Sequence, residues 1–315
     1  MLARYWASRW EIPNNFFTKE HFLQVVANEI DPASTPGYPL CLSYSNNRQL
    51  FLFKEDGSFS QERAQMVWAM VQDRVQYKYS DPIRLFIKPE PHTTQKIEAG
   101  RYRLISSVSV VDAIIDHMLF SPFNEAITRE HNGLSCKVGW SQYGGGWLTI
   151  PPEGVAMDKS SWDWTVKPWL LSLILDFRKL TCKNMTPQWI ELATWRYQML
   201  FKDPVFVLSS GHFFKQMTAG IMKSGCVNTI ADNSLMQEFM HIRACLELGI
   251  PIGWFMTMGD DTYQQEPEKL AEYVDLLKQW CKLKQVQHKA EFAGVLVENQ
   301  YVEPIYWAKH CYQLL

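Results

Sequence analysis

The stretch Met157-Asp-Lys-Ser-Ser-Trp-Asp163-Trp closes a short apolar run, Val155–Met157, with one aspartate and brings a second five residues later. A carboxylate at the end of a buried strand is a natural ligand for a hard cation such as Mg2+, which takes oxygen donors. Two solvated acids on a surface turn explain the same spacing equally well. A second acidic pair, Asp260 and Asp261, sits in Met258-Gly-Asp-Asp between the apolar arms Trp254–Met258 and Thr262-Tyr263. Strand side chains alternate, so one acid points to one side and its neighbour more obliquely. A plain hairpin turn also reads Gly-Asp, but charge between apolar arms is costly unless a cation compensates it.

The run Gly220-Ile-Met-Lys-Ser224-Gly225-Cys-Val-Asn-Thr229-Ile-Ala-Asp-Asn233-Ser sets a flexible Ser-Gly pair just before a helix. Thr229 and Asn233 are four apart and share a helix face, so they offer a hydroxyl and an amide to one point. An N-capped helix with a polar surface accounts for Ser224 and Asn228, not for a polar face so near a glycine hinge. Phe86-Ile-Lys88-Pro-Glu90-Pro-His-Thr-Thr-Gln-Lys96, leading to Gly100-Arg101-Tyr-Arg103-Leu-Ile, gathers cations around a strand pair. Such clusters bind phosphate, arginine in bidentate fashion. Standing alone, this one reads as a solvated basic face.

The surrounding patterns place these residues on elements. Turn signals at Pro13, Asp31-Pro32 and Thr35-Pro-Gly-Tyr-Pro39 make 1–60 read as irregular. Ser60 caps a helix over 61–77, with the apolar positions Ala64, Val67, Trp68, Val71 and Val75 at helical spacing. Arg84–Lys88 and Arg101–Ile105 read as strands, and Ser109 with Asp112 as a capping box opening the next helix. Val155–Met157 is a strand, and helices follow over 167–180 and from Thr186-Pro187, since proline suits the first helical position. Pro204–Leu208 and Phe213–Lys215 form a hairpin, and 227–248 a helix ended by Gly249. Trp254–Met258 and Asp261–Gln264 make a second hairpin, followed by a helix over 267–281 and strands at 292–298 and 302–307. Helices and hairpins interleave without βαβ spacing, so the fold class is α+β.

Composition narrows the function classes. Apolar residues are 47% and charged residues 20% of the 315, which excludes a disordered chain. A net charge of −2 excludes a uniformly basic coat for nucleic acid while leaving room for a local basic channel. The seven cysteines include no CxxC pair, which argues against a zinc ribbon. No run reaches the roughly 18 apolar residues of a membrane span.

Taken in chain order, the basic strand pair, the Asp158 stretch, the Ser-Gly loop and the Gly-Asp-Asp hairpin resemble motifs F, A, B and C of viral RNA-dependent RNA polymerases. Asp158-Lys-Ser-Ser-Trp-Asp-Trp, Lys223-Ser-Gly…Asn-Thr…Asn-Ser and Lys88-Pro-Glu-Pro look most like the sobemovirus and polerovirus group of positive-strand RNA viruses. Gly-Asp-Asp alone is a weak signature; four motifs in sequence, spanning about 85–300, are a specific one. Ser161 stands where that group commonly has Gly, and Lys282, Lys284 and Lys289 all compete as the motif D lysine. Glu291-Phe-Ala-Gly resembles the motif E turn, with about 20 residues after it.

The resemblance implies a right-hand fold: fingers over 1–154, an antiparallel palm sheet flanked by helices over 155–300, with 176–205 bracing fingers on palm, and a short or truncated thumb beginning at 301–315. It implies nucleotidyl transfer with two Mg2+ ions, Mn2+ able to substitute, held by Asp158, Asp260, Asp261 and the Lys159 carbonyl. Asp163, Ser224, Gly225, Thr229 and Asn233 would meet the ribose side of the incoming nucleotide. Lys88, Lys96, Arg101 and Arg103 would meet its triphosphate. Lys284 is taken as the proton donor to pyrophosphate. The implied partners are RNA template and primer, ribonucleoside triphosphates, a genome-linked protein primer and other viral replication proteins. The implied setting is the host cytoplasm, in membrane-associated replication complexes reached through partners. The rival is a catalytically silent, polymerase-like RNA-binding scaffold of such a complex. A reverse transcriptase is disfavoured by Asp163, Thr229 and Asn233, and a metal-dependent phosphohydrolase leaves the Ser-Gly loop unexplained.

Overall fold

The computed structural model describes residues 1–298, 301–307 and 311–312. Along the chain run α1 (Lys19–Asn28), α2 (Asn47–Phe51), α3 (Gln61–Tyr77), β1 (Ile83–Ile87), α4 (Thr94–Glu98), β2 (Leu104–Ser107) and α5 (Val110–Arg129). There follow β3 (Val155–Lys159), α6 (Trp162–Thr165), α7 (Pro168–Thr181), α8 (Pro187–Phe201), β4 (Val205–Leu208), β5 (Phe213–Lys215) and α9 (Thr229–Leu248). The last are β6 (Phe255–Met258), β7 (Asp261–Gln264), α10 (Leu270–Trp280), β8 (Leu283–Gln287), β9 (Ala290–Phe292), β10 (Val295–Glu298) and β11 (Tyr301–Pro304). The content is the mix of α and β that the spacing predicts. The stretch 301–315 lies partly outside the described residues, which omit 308–310 and 313–315.

The N-terminal region is less irregular than its turn signals suggest. The Thr18 hydroxyl accepts from the His21 N–H and starts α1, which buries His21, Phe22, Val25 and Val26. Ser60 caps α3 in the same way, accepting from Arg63. The second strand of the basic pair begins at Leu104, not Arg101. The short helix α4 and the left-handed Gly100 (φ +60°) occupy the intervening chain, and pairing resumes where the Lys88 N–H reaches the Arg103 carbonyl at 2.8 Å.

The chain divides into two compact units. One consists of Trp10–Phe123 and Cys182–Asn228. Its sheet runs β2-β1-β4-β5, with β1 parallel to β4 and the other pairs antiparallel. Trp189 of α8 is fully buried; its indole N–H donates to the Leu119 carbonyl at 2.9 Å and its ring meets Trp10. The Arg196 guanidinium, also fully buried, grips Asp116 through Nε (2.7 Å) and Nη2 (3.0 Å). Asp112 stands one helical turn earlier, 3.3 Å from Nη1, and accepts from the Asp81 N–H.

The other unit consists of Met1–Arg9, Asn124–Thr181 and Thr229–Leu315. Its antiparallel sheet runs β6-β7-β3-β8, and a smaller one runs β11-β10-β9. Trp140, Ile150, Ala156, Met256, Tyr263 and Phe292 form a shared core beneath them. Helix α9 packs on β6, α7 and α10. It carries two fully buried acids, Asp232 bound to Arg178 at 2.6 Å and Glu238 accepting from the Tyr5 hydroxyl at 2.7 Å.

One arginine facing two buried carboxylates fully satisfies only one of them. Burial, opposed by the Arg196 charge, pushes the Asp112 carboxyl up to about 7. Asp116→Asn therefore strands the buried guanidinium and is expected to cost about 3–5 kcal/mol, whereas Asp112→Asn costs about 1 kcal/mol or less. Because the folded value lies above the ordinary 3.8, wild-type protein loses stability through this group as pH rises from about 4 to about 7. Thermal midpoints at about pH 5 and about pH 8 check the sign: the Asp112→Asn variant should gain on wild type at the higher pH, and an equal offset at both would refute it.

Candidate active site

Strand β3 presents Asp158 half-buried and Lys159 buried. Its pairing with β8 slips between them, from Asp158↔Gln285 to Lys159↔Leu283. Such a bulge bends a strand and re-aims its side chains. Lys284 falls in the slip, and its ammonium donates to Asp158 Oδ2 at 2.6 Å. The chain then turns sharply. The Ser160 N–H donates to the Lys282 carbonyl at 2.8 Å, and Ser161 adopts φ +53°, ψ +42° to cap α6. Glycine takes that left-handed conformation without steric penalty.

The turn brings two motif residues together. The Trp162 indole N–H donates to Asn233 Oδ1 at 2.9 Å, and Asn233 Nδ2 donates to Asp163 Oδ1 at 2.9 Å. Both functions of the amide are thereby directed. Thr229 opens the same helix, one turn before Asn233. Ser234, the next residue, accepts from the Gly259 N–H at 2.8 Å, so α9 also holds the acidic hairpin.

That hairpin joins β6 to β7 through Gly259 and Asp260 alone, with Met258 paired to Asp261. Gly259 has φ +65°, the sign a two-residue hairpin turn needs at its first central position. From below, the Lys159 ammonium donates to Thr262 Oγ1 (2.8 Å), the Met157 carbonyl (3.2 Å) and the Asp260 carbonyl (3.3 Å). The sequence reading gave Lys159 only a backbone role. A lysine inside an Asp-x4-Asp run is the signal that its side chain could act as well. Burial pushes this ammonium below the usual lysine range, against the pull of the surrounding acids. Burial and the Asp260 charge push the Asp261 carboxyl up to about 6, with Lys159 opposing. The hydrogen bond and charge of Asp158 raise Lys284. Glu291 and Tyr306, not singled out for the site in the sequence, line a cavity of about 50 Å3 with Asp158 and Asp261. The motif E resemblance was the signal for Glu291.

Among the described residues no three His, Cys, Asp or Glu side chains form a ready metal cluster. The donor chemistry nonetheless fits a hard cation. Carboxylate and carbonyl oxygens are its natural ligands, and the neighbouring negative charges that raise Asp261 are those a cation would relieve.

The remaining residues expected at the site lie in the other unit. Lys88 and Arg103 both face Glu90, at 2.9 Å and 3.8 Å. Lys96 of α4 and Arg101 after it are exposed. Ser224 Oγ accepts from the Ser106 N–H at 3.0 Å, and Gly225 bridges to Ser107.

The sequence pattern described as viral RNA-dependent RNA polymerase matches residues 20–292. The replicase polyprotein P2AB of Southern cowpea mosaic virus is 31% identical over 299 residues, covering 83% of this chain and 29% of that protein. Protein P1-P2 of Pea enation mosaic virus-1 is 31% identical over 69% of this chain and 21% of its own length. The RNA-directed RNA polymerase of Mushroom bacilliform virus is 26% identical over 82% of this chain and 67% of its own length. The chain thus spans under a third of the polyproteins it matches. The Sicinivirus 3Dpol RNA dependent RNA polymerase superposes with a TM-score of 0.73 at 19% identity, over 96% of this chain and 69% of that one, a likeness of fold.

A serine held at φ +53° carries a steric penalty that glycine lacks. Ser161→Gly is expected to stabilise the protein by about 0.5–1 kcal/mol, after the greater freedom of glycine in the unfolded chain is offset. A raised thermal midpoint checks this; a lowered one would show that the serine hydroxyl has a task of its own.

Proposed function

The chain belongs to the viral RNA-dependent RNA polymerase family, and we propose that it performs template-directed RNA synthesis in viral genome replication. The primer 3′-hydroxyl attacks the α-phosphate of a ribonucleoside triphosphate, and pyrophosphate leaves. Asp158, Asp260, Asp261 and the Lys159 carbonyl would hold two Mg2+ ions, with Mn2+ able to substitute. Such ions, when bound, neutralise charge on the attacking and leaving oxygens.

The chain's own residues orient and select. Asn233, fixed between Trp162 and Asp163, reads the ribose together with Asp163 and Thr229. A buried polar pair rejects a deoxy sugar because one of its groups would be left unpaired. Ser224 and Gly225 form the loop beside the nucleotide. Lys88, Lys96, Arg101 and Arg103 neutralise its triphosphate, arginine through paired N–H bonds. Lys284, held on Asp158, gives its proton to the departing pyrophosphate. On this reading the palm falls within 155–300, the fingers within 1–154, and the thumb begins at 301–315. The partners are template and primer RNA, a genome-linked protein primer and other replication proteins. The setting is membrane-associated complexes in the host cytoplasm. Attachment through partners belongs to the same reading, and among the described residues no helix is long and apolar enough to cross a membrane.

The observation that supports this reading best is that one helix holds both the Trp162–Asn233–Asp163 chain and, through Ser234, the hairpin that carries Asp260 and Asp261. The test is extension of primed RNA with Mg2+ and four ribonucleotides. Asp260→Asn should reduce extension by about 10²–10³-fold while RNA binding persists. Full activity in that variant would refute the acid assignment, and RNA binding by an inert wild-type chain would favour the scaffold role. Asn233→Ala should relax the preference for ribonucleotides over deoxynucleotides by about tenfold or more; unchanged discrimination would remove the sugar-reading role.

A further inference from the structure

Lys223 precedes Ser224, has no exposed surface, and has no task in the chemistry above. Its ammonium donates to Gln216 Oε1 at 2.9 Å and to the Ile221 carbonyl at 2.7 Å. It also lies 5.7 Å and 5.5 Å from the ring centroids of Phe201 and Phe206, within cation–π range. Gln216, buried as well, donates from Nε2 to the carbonyls of Thr218 (2.7 Å), Phe201 (3.0 Å) and Gly220 (3.2 Å). One ammonium and one amide thus hold the backbone of a segment that has neither helix nor strand between Lys215 and Ser224.

The carbonyl that Lys223 grips belongs to a strained residue. Ile221 has φ +60°, a conformation that β-branched residues avoid. Strain of this kind persists only where the surroundings over-determine it. Immediately beyond, the chain is seated on β2. Ser224 Oγ accepts from the Ser106 N–H at 3.0 Å, and Gly225 lies so close that a Cβ would come within 2.5 Å of the Ser106 carbonyl oxygen. A loop seated so tightly cannot take up slack if Ile221 relaxes.

We infer that Lys223 is a positioning residue for the nucleotide site: it clamps the strained Ile221 turn and so keeps Ser224 and Gly225 in register on β2. This rests on the reading of Ser224 and Gly225 as nucleotide-site residues. A neutral side chain of similar volume would fill the cage but hold no carbonyl. The ammonium is therefore the working part. Glycine at 221 adopts positive φ without steric cost, so Ile221→Gly removes the strain that the clamp opposes.

The test compares wild type, Lys223→Met, Ile221→Gly and the double variant by primed-RNA extension, thermal midpoint and amide hydrogen exchange. Lys223→Met is expected to lower kcat by about 10- to 100-fold and to speed exchange in 217–226. Ile221→Gly on top of it should recover most of the rate. Wild-type extension by Lys223→Met overturns the inference. So does a loss that merely follows the folded fraction and is not relieved by Ile221→Gly. Should Lys223→Met fail to fold, exchange in the unaltered chain decides. Protection of the Ser106 and Cys226 amides, the latter donating to the Lys223 carbonyl at 3.0 Å, is expected, and exchange as fast as an open loop overturns the inference. A wild-type chain that extends no primer fails the polymerase reading alone, since exchange in Lys223→Met still tests the clamp.

Discussion

Three carboxylates on neighbouring strands repel one another, and the site unit is organised around managing that repulsion. Asp158 lies one residue before the end of β3, Asp260 sits in the turn of the neighbouring hairpin, and Asp261 opens that hairpin's second strand. Their mutual repulsion, added to burial, is visible in the raised Asp261 carboxyl. Two lysines answer it in different ways. Lys159 is buried beneath the turn and bound to three oxygens there, so it is a counter-ion built into the fold that also fixes the Asp260 backbone. Lys284 reaches Asp158 from an exposed position, where an ion pair is held only weakly. One charge is built in and the other is exchangeable. That is the electrostatic condition for a site to stay folded without a cation and still have room for one.

Helix α9 converts this charge pattern into a geometry. Within two residues, Asn233 joins the turn after β3 through Trp162 and Asp163, and Ser234 joins the acidic hairpin through Gly259. Motifs far apart in sequence thus share one rigid element. The same helix is anchored by its buried acids Asp232 and Glu238. Buried ion pairs contribute little net stability but penalise any misregistered alternative, because each shift leaves a charge unpaired. Rotating α9 by one residue would strand both acids and unseat both motif contacts together.

What was legible in the sequence follows from this arrangement. The Gly259–Asp260 turn could be read because apolar strands flank a residue that tolerates positive φ. The four-residue step places Thr229 and Asn233 on one helix face, and the family resemblance adds Asp163 to the same expected site. Less visible were features that depend on partners distant in the chain. Nothing local marks the slip between β3 and β8, because Leu283–Gln287 lacks a strong alternation and gains its strand only from Ala156–Lys159. Glu238 reads as a surface acid until Tyr5 and Arg4, more than 230 residues away, are brought to it. Helix α1 was masked by flanking turn signals, although Thr18 and its buried face meet the ordinary conditions for a capped helix.

Lys159 and Lys223 share a logic that separates them from the catalytic acids. Each is a lysine just before or after a motif residue, each is buried, and each gives at least one donor to a backbone carbonyl and another to a neighbouring side chain. A carbonyl contact transmits position without adding a functional group to the site. An exposed lysine at either place would be screened and mobile, unable to define a backbone conformation. Burial removes that freedom, and the cost of desolvating the ammonium is tolerable only while the carbonyls remain where they are. The two lysines therefore make the local backbone all-or-none: the loop is in register with its charge satisfied, or it is out of register with a charge buried and unpaired. A motif read only as a string of contacting side chains misses this half of its design, because the residues that hold the backbone lie beside the ones that do the chemistry.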